Sequence, residues 1–437
     1  MNSAENHSRD QMISGPVTNV LRDNGETRSI GATIVAMALC IIVASIEQAR
    51  AEGADLFARS WNEGKLVDAE RALPMTQFYT ASAADPSAPP GTLVRAEPAT
   101  DFSLPPGVTA TRILYHTRTA NNKDALASGV VLIPYGRPPA GGWPLLAWSH
   151  GTSGVARVCA PSLMKSLFYN WEGLYQYVTL GYAVVATDYS GLGTDGRHAY
   201  LDMLSNATDV IHSVPAARAA VAGLSEKWVV IGHSQGGLSA LGVAQLEGML
   251  RDPNFLGTVA LAGASDLEDA IAAAARVNQP LLNGLLAFIV FGAKTTYPEL
   301  KLGDILTDAA LDRYDTFVED GCRAAYGAFS SLAPSEMFKS GWTDNQLIKH
   351  FLARDRPGAQ PIRGPLFLVT GGADVMFTES AGRKVFQRLC ASGERTQWSV
   401  YPGLGHDPVV YGSLRDQVDW MGARFRGQQA PSNCLSN

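Results

Sequence analysis

Short apolar runs recur along the chain from residue 112 onward: Arg112 to His116, Gly129 to Ile133, Pro144 to Trp148, Tyr182 to Ala186, Trp228 to Ile231, Thr258 to Ala262, Leu366 to Val369 and Trp398 to Tyr401. Runs of this length, rich in Val, Ile and Leu and bounded by Gly and Pro, predict buried strands. The later runs alternate with helical stretches, which predicts an α/β fold with a mostly parallel central sheet and helices on both faces. Near the C-terminus Leu414, Val418, Met421 and Phe425 are spaced by four, three and four. One stripe of a final helix should therefore face the sheet. Between residues 266 and 355 the pattern turns helical, Ala-rich from Asp269 to Val277 and strongly apolar from Leu281 to Phe291. That stretch exceeds an ordinary crossover and predicts an inserted helical cap, either an extra packing layer or a lid. The core is then expected over 107–265 and 356–437. Residues 52–106 are Ala-, Pro- and Ser-rich, Ser82 to Pro90 especially, and read as an N-terminal arm with little periodicity.

The pattern before the arm is different. Ile30 to Ile46 carries no charge over 17 residues, follows Arg28, and leads into Ala49-Arg50-Ala51. An apolar core ahead of a small-x-small site predicts a secretory signal peptide over 1–51, and hence a secreted or periplasmic protein. The alternative is an uncleaved membrane anchor over 30–46. The segment before the apolar run is long and mixes Arg9, Arg22 and Arg28 with Glu5, Asp10, Asp23 and Glu26, so the start codon is open to revision. Cleavage would remove Cys40 and leave Cys159, Cys322, Cys390 and Cys434. Four cysteines in an exported chain predict two disulfides, with three pairings open. No Cys/His spacing predicts a metal site, and no cofactor is expected.

Composition narrows the function classes. Of 437 residues 46% are hydrophobic and 17% charged, which excludes disorder over most of the length. A net charge of −6 and a pI near 5.8 provide no basic surface for a phosphate backbone, so nucleic acid is not an expected partner.

The candidate chemistry sits after the Trp228 to Ile231 strand, in Gly232-His233-Ser234-Gln235-Gly236-Gly237, followed by an apolar helix from Leu238 to Leu250. This is G-x-S-x-G in the strand-to-helix context where a serine occupies a strained turn and glycines clear the neighbouring backbone. Ser234 is the candidate nucleophile. The acid should follow it and precede the base in sequence. Only His350 and His406 follow Ser234; His350 falls in the cap region and reads as an ordinary helical or surface histidine. His406, in Gly403-Leu-Gly-His-Asp-Pro408 after the last strand, is the candidate base. Asp374, at the end of Leu366-Phe-Leu-Val-Thr-Gly-Gly-Ala-Asp, is the candidate acid that orients it. Asp266 is the alternative acid, and Asp407 is too close in sequence to face its neighbour's ring. An oxyanion hole needs two backbone donors. One is expected from Gln235 and the other from Gly151 or Thr152 in Ser149-His-Gly-Thr-Ser-Gly154; His150, ahead of the serine, reads as structural or pocket-lining. The Leu281 to Phe291 run is expected either to line an acyl tunnel or to form cap core.

These segments, with Cys159-Ala-Pro-Ser162 and Asp188-Tyr-Ser-Gly-Leu-Gly193, resemble the α/β-hydrolase fold, and within it the secretory lipases of the yeast lipase A type and their bacterial relatives. The likeness runs from about Arg112 to the C-terminus. It implies a Ser-Asp-His triad acting on carboxylic esters, small-molecule or lipid, a helical cap capable of transient contact with a lipid interface, and disulfides Cys159–Cys322 and Cys390–Cys434. Where the yeast enzyme places an acidic residue near the oxyanion hole, this chain has Gly151-Thr152, as bacterial members do. A peptidase or amidase on the same triad, or a non-catalytic binding protein of this fold, are the rival readings. Two decoys remain. Gly191-Leu-Gly-Thr-Asp-Gly196 matches a dinucleotide fingerprint but lies mid-sheet, with no acid ending a strand about 20 residues on, and reads as a structural turn. Asn206-Ala-Thr208 is a glycosylation sequon only in a eukaryotic source, and otherwise chance.

Overall fold

The computed structural model describes residues 61–80, 88–167, 172–277, 280–320, 322, 327, 329 and 332–434. The expected leader over 1–51 lies outside them. Nine strands form one sheet: β1 (Leu93–Ala99), β2 (Thr109–Arg118), β3 (Asp124–Ile133), β4 (Trp143–Ser149), β5 (Ala183–Thr187), β6 (Leu224–His233), β7 (Phe255–Leu261), β8 (Leu366–Gly371) and β9 (Thr396–Tyr401). Their order is β1-β2-β3-β5-β4-β6-β7-β8-β9. The first three and the β3–β5 pair run antiparallel, and every pair from β5 to β9 is parallel. All eight apolar runs read from the sequence fall on strands of this sheet.

The twelve helices used below are α1 (Trp61–Arg71), α2 (Leu174–Thr179), α3 (Met203–Ala220), α4 (Gln235–Leu250), α5 (Leu267–Val277), α6 (Pro280–Thr296), α7 (Asp308–Asp320), α8 (Pro334–Met337), α9 (Gln346–Arg354), α10 (Glu379–Ala391), α11 (Pro408–Gly412) and α12 (Leu414–Phe425). Strand side chains point alternately to opposite faces, and the sheet is apolar on both. Leu145, Ala147, Trp228 and Val230 pack on one side against Val210 and Val214 of α3 and Val243 of α4. Leu146, Trp148, Val229 and Ile231 pack on the other against Tyr177 of α2 and Trp420 and Met421 of α12. The stripe read at Leu414, Val418, Met421 and Phe425 does meet the sheet on that face.

The arm needs correction. It holds α1 and, at its end, β1, which pairs with β2 and extends the sheet upstream of residue 107. β1 escapes the apolar pattern because it is an edge strand: Leu93-Val-Arg-Ala-Glu-Pro-Ala alternates between half-buried and exposed positions and tolerates Pro98, as edges do. Between β7 and β8 the described residues form helices α5 to α9 and short 3₁₀ turns, with no strand of the sheet. Their own core, around Phe288, Phe317, Phe329 and Phe351, continues into Tyr200, Leu201 and Leu238 of the sheet-bearing part. Cys159 is bonded to Cys322 and Cys390 to Cys434. The first bond ties the loop after β4 to the helical insertion, and the second ties α10 to the C-terminal tail. Among the described residues no helix is long and apolar enough to cross a membrane.

Candidate active site

β6 ends at His233 and α4 begins at Gln235, so Ser234 alone makes the turn. Its φ of 56° and ψ of −120° are outside the regions a side chain prefers, a strain of about 1–3 kcal/mol. The turn is possible because its flanks carry no side chains. A Cβ on Gly232 would stand 2.3 Å from Gly236 O, and one on Gly236 would stand 1.9 Å from Ser149 O at the end of β4. The backbones of β4, β6 and α4 meet there, and Ser234 is lifted above the sheet edge.

Three elements converge on it. His406, in the loop between β9 and α11, places Nε2 2.9 Å from Ser234 Oγ. Its Nδ1 lies 2.7 Å from Asp374 Oδ2. Asp374 stands just past β8, and its Oδ1 accepts the N–H groups of Met376 and Phe377, both at 2.9 Å. The Phe377 ring stacks on the imidazole, with centroids 5.3 Å apart. Burial alone would raise the Asp374 carboxyl, but the neighbouring His406 and the two backbone donors hold it below its ordinary value. Burial likewise opposes charge on His406; the facing Asp374, and then Asp407, outweigh it and raise the ring to about 8. A serine hydroxyl on an imidazole that is oriented by a buried carboxylate is the arrangement nucleophilic acyl transfer requires.

Of the two donors expected after β4, Gly151 needs correction. Its N–H donates to Glu172 Oε1 at 2.8 Å, so it is already committed. Among the described residues the Thr152 N–H is claimed by no acceptor. Gln235, as the first residue of α4, has no partner for its N–H within the helix. The side chains around these donors are fixed. Thr152 Oγ1 is 2.7 Å from Tyr200 OH, and Gln235 Nε2 reaches His198 Nε2 at 2.9 Å and Asn206 Oδ1 at 3.1 Å. Burial, and then His150, push His198 down to about 3, so it accepts as a neutral ring.

A mainly apolar pocket with about 460 Å³ of empty space, its mouth included, opens beside Ser234 and Gln235. Ile271 and Ala274 of α5, Leu285, Leu286 and Ile289 of α6, and Tyr200, Met376 and Phe377 line it. The Leu281 to Phe291 run therefore splits by face. Leu285, Leu286 and Ile289 reach the pocket, the last two from within the core of the insertion, whereas Phe288 and Phe291 lie in that core away from the pocket.

The other candidates fall elsewhere. Asp266 is bound through both carboxylate oxygens to Arg388, at 2.9 and 2.7 Å. His350 is exposed on α9. His150 is buried, with its ring nitrogens on Gly151 O at 2.6 Å and Asp188 O at 3.2 Å. Gly191 to Gly196 forms a loop after β5 rather than the opening of a helix. Asn206 is 1% exposed and hydrogen-bonded on both sides of its amide, so its sequon is closed to a glycan. His233, His406 and Asp407 group within 4.8 Å of one another, a spacing a metal ion could use, but all four ring nitrogens already face protein partners. Sequence reasoning missed Glu172 and Tyr200 altogether. Neither belongs to a motif, and only the folded chain brings them beside Gly151 and Thr152.

The sheet order, the elbow and the serine–imidazole–carboxylate line together define an α/β-hydrolase. The family model described as secretory lipase matches residues 168–433, and the chain belongs to that family. It is a carboxylic ester hydrolase of the lipase and esterase class. No curated protein matches its sequence. Among solved structures it is similar to the lipase A of Candida antarctica, with a TM-score of 0.71 and 15% identity over 83% of this chain and 89% of that one. It is also similar to the rice cell wall degrading esterase LipA of Xanthomonas oryzae, with a TM-score of 0.64 and 18% identity over 78% of this chain and 100% of that one. A putative hydrolase of Legionella pneumophila gives 0.61 and 16%, over 77% and 99%.

Proposed function

We propose that the chain is an exported serine esterase that cleaves esters of apolar acids through an acyl-enzyme on Ser234. The contact of Ser234 Oγ with His406 Nε2 at 2.9 Å, backed by Asp374 at 2.7 Å, carries the reading. As Ser234 Oγ attacks the ester carbonyl, His406 takes its proton, and Asp374 stabilises the imidazolium that forms. The oxyanion accepts from the N–H groups of Thr152 and Gln235. His406 then gives the proton to the leaving alcohol, and a water deprotonated by the same ring hydrolyses the acyl-enzyme and frees Ser234.

Residues 266–355 act as the cap over the site. Its pocket faces are apolar, which suits an acyl chain of a small-molecule or lipid ester and favours esters over charged substrates. Export rests on the leader read over residues 1–51 and on the family. Turnover of p-nitrophenyl butyrate by the wild type and by Ser234→Ala tests the reading, together with a matched anilide. Ester turnover should vanish in Ser234→Ala, and the anilide should be poor for the wild type. Normal turnover by Ser234→Ala would sink it, and equal use of the anilide would favour an amidase.

A further inference from the structure

One buried carboxylate off the Ser234–His406–Asp374 line touches both sides of it. Glu172, 3% exposed, lies two residues ahead of α2. Its Oε1 accepts the Gly151 N–H at 2.8 Å and stands 3.0 Å from Nδ1 of His233. His233 is fully buried immediately before Ser234, and its Nε2 stands 3.1 Å from the backbone oxygen of His406. The spacing leaves no room for a side chain on residue 151, where a Cβ would lie 2.2 Å from the Glu172 oxygen.

Counting protons fixes the state of this pair. The His406 oxygen is a carbonyl and only accepts, so Nε2 of His233 must carry a hydrogen. A second proton must then lie between Nδ1 and Oε1, since a bare ring nitrogen and a carboxylate oxygen would otherwise face each other as two acceptors. Acid with imidazole, or carboxylate with imidazolium, both satisfy the count, and both are net neutral. Burial, and then the neighbouring His406, push His233 down to about 3, so the ring does not hold a charge unaided. A neutral pair also avoids the cost of a lone buried charge. Without the shared proton, one of the two links breaks: either Nδ1 loses Glu172 or Nε2 loses the His406 carbonyl.

We infer that Glu172 and His233 are positioning residues, a proton-sharing clamp that holds the Gly151–Thr152 turn and the His406 backbone in register with Ser234. The inference rests on the ester-hydrolase reading above and deepens it. Neither residue reaches the reacting atoms. Glu172 sets where the Thr152 N–H points by fixing the peptide before it, and His233 sets the loop that carries the base. Their effect should therefore fall on the transition state, where donor placement counts, and little on substrate binding.

The test compares Glu172→Gln, Glu172→Ala and His233→Phe with the wild type in kcat, KM, thermal midpoint and affinity for a boronic acid that mimics the tetrahedral intermediate. A misplacement near 1 Å costs about 10²-fold, so Glu172→Ala should lose about 10² in kcat with KM nearly unchanged. Boronate affinity should fall in parallel. Glu172→Gln keeps an acceptor for Gly151 but no shared proton, and should lose about tenfold. Glu172→Gln with His233→Phe should cost less than the product of the single effects, because both break one link. If Glu172→Ala fails to fold, Glu172→Gln decides. Wild-type kcat and boronate affinity in folded Glu172→Gln would overturn the clamp, as would a fall in thermal midpoint without any fall in kcat. Ser234→Ala, assayed alongside, separates the two failures: if it abolishes turnover while Glu172→Gln is silent, only the clamp is lost.

Discussion

Replacing Asp374 with Asn alters the proton on His406 while leaving the shape of the site in place. Asp374 Oδ1 accepts two backbone N–H groups, from Met376 and Phe377, at 2.9 Å. In Asp374→Asn the amide oxygen must stay on those donors, which turns the NH₂ group toward His406 Nδ1, where Oδ2 stood at 2.7 Å. Nδ1 must then accept, so the ring hydrogen moves to Nε2 and points at Ser234 Oγ, 2.9 Å away. An imidazole with its hydrogen on that side cannot take the serine proton. A misassigned tautomer of this kind costs about 10⁴ in kcat, or about 5 kcal/mol of barrier. Loss of the facing carboxylate should also lower the titration of His406 from about 8, because less then outweighs the burial that opposes its charge. The assay is kcat for p-nitrophenyl butyrate across pH 5 to 9, with Asp266→Asn as the comparison. Asp266 is bound to Arg388, so its variant should lose thermal stability and keep kcat. A fall of less than tenfold in Asp374→Asn, or a larger fall in Asp266→Asn, would refute the assignment of the acid.

Four more outcomes are expected. Only neutral His406 can act as a base, so kcat/KM should fall tenfold per pH unit below about 8 and level off above it. The same ring titrates higher folded than unfolded, so its stabilisation, about 2 kcal/mol, is complete below pH 6.5 and lost as pH rises through about 8; thermal midpoints should decline over that interval as activity rises. Leu286→Trp should fill the pocket beside Ser234 and lower kcat/KM for the octanoate relative to the butyrate ester by about 10²-fold, since four methylenes at about 0.8 kcal/mol each lose their place; an unchanged ratio would place the acyl chain elsewhere. Cys390→Ser opens a bond spanning 44 positions and should cost about 4 kcal/mol in denaturant unfolding on the loop-entropy account, with kcat retained.

The sheet and the reactive line were legible because each rests on local chemistry. A buried parallel strand must be apolar throughout, and the elbow needs glycines at fixed offsets, so Trp228 to Gly237 announces itself. His406 and Asp374 follow from chain order and strand ends. What could not be read depends on partners distant in sequence. β1 hides Arg95, Glu97 and Pro98 at a half-exposed edge, where no apolar pattern is required. The choice between Gly151 and Thr152 turns on Glu172, 21 positions away, whose carboxylate takes the first N–H and leaves the second. Leu286 and Phe288 look alike in sequence and both join the core of the insertion, and only the packing of α6 brings Leu286 alone to the pocket wall. Whether the Asn206 sequon is open to a glycan could not be read from the sequence, and only the fold sets the amide of Gln235 against it.

The claim that catalysis passes through Ser234 is tested most directly by trapping the intermediate. The enzyme is mixed with p-nitrophenyl butyrate, quenched in acid within the first turnover, digested, and its peptides weighed. A butyryl group should appear on the peptide carrying Ser234, in step with a burst of p-nitrophenol and absent from Ser234→Ala. A butyryl group on another peptide, or a stoichiometric burst with no acylated peptide, would contradict it.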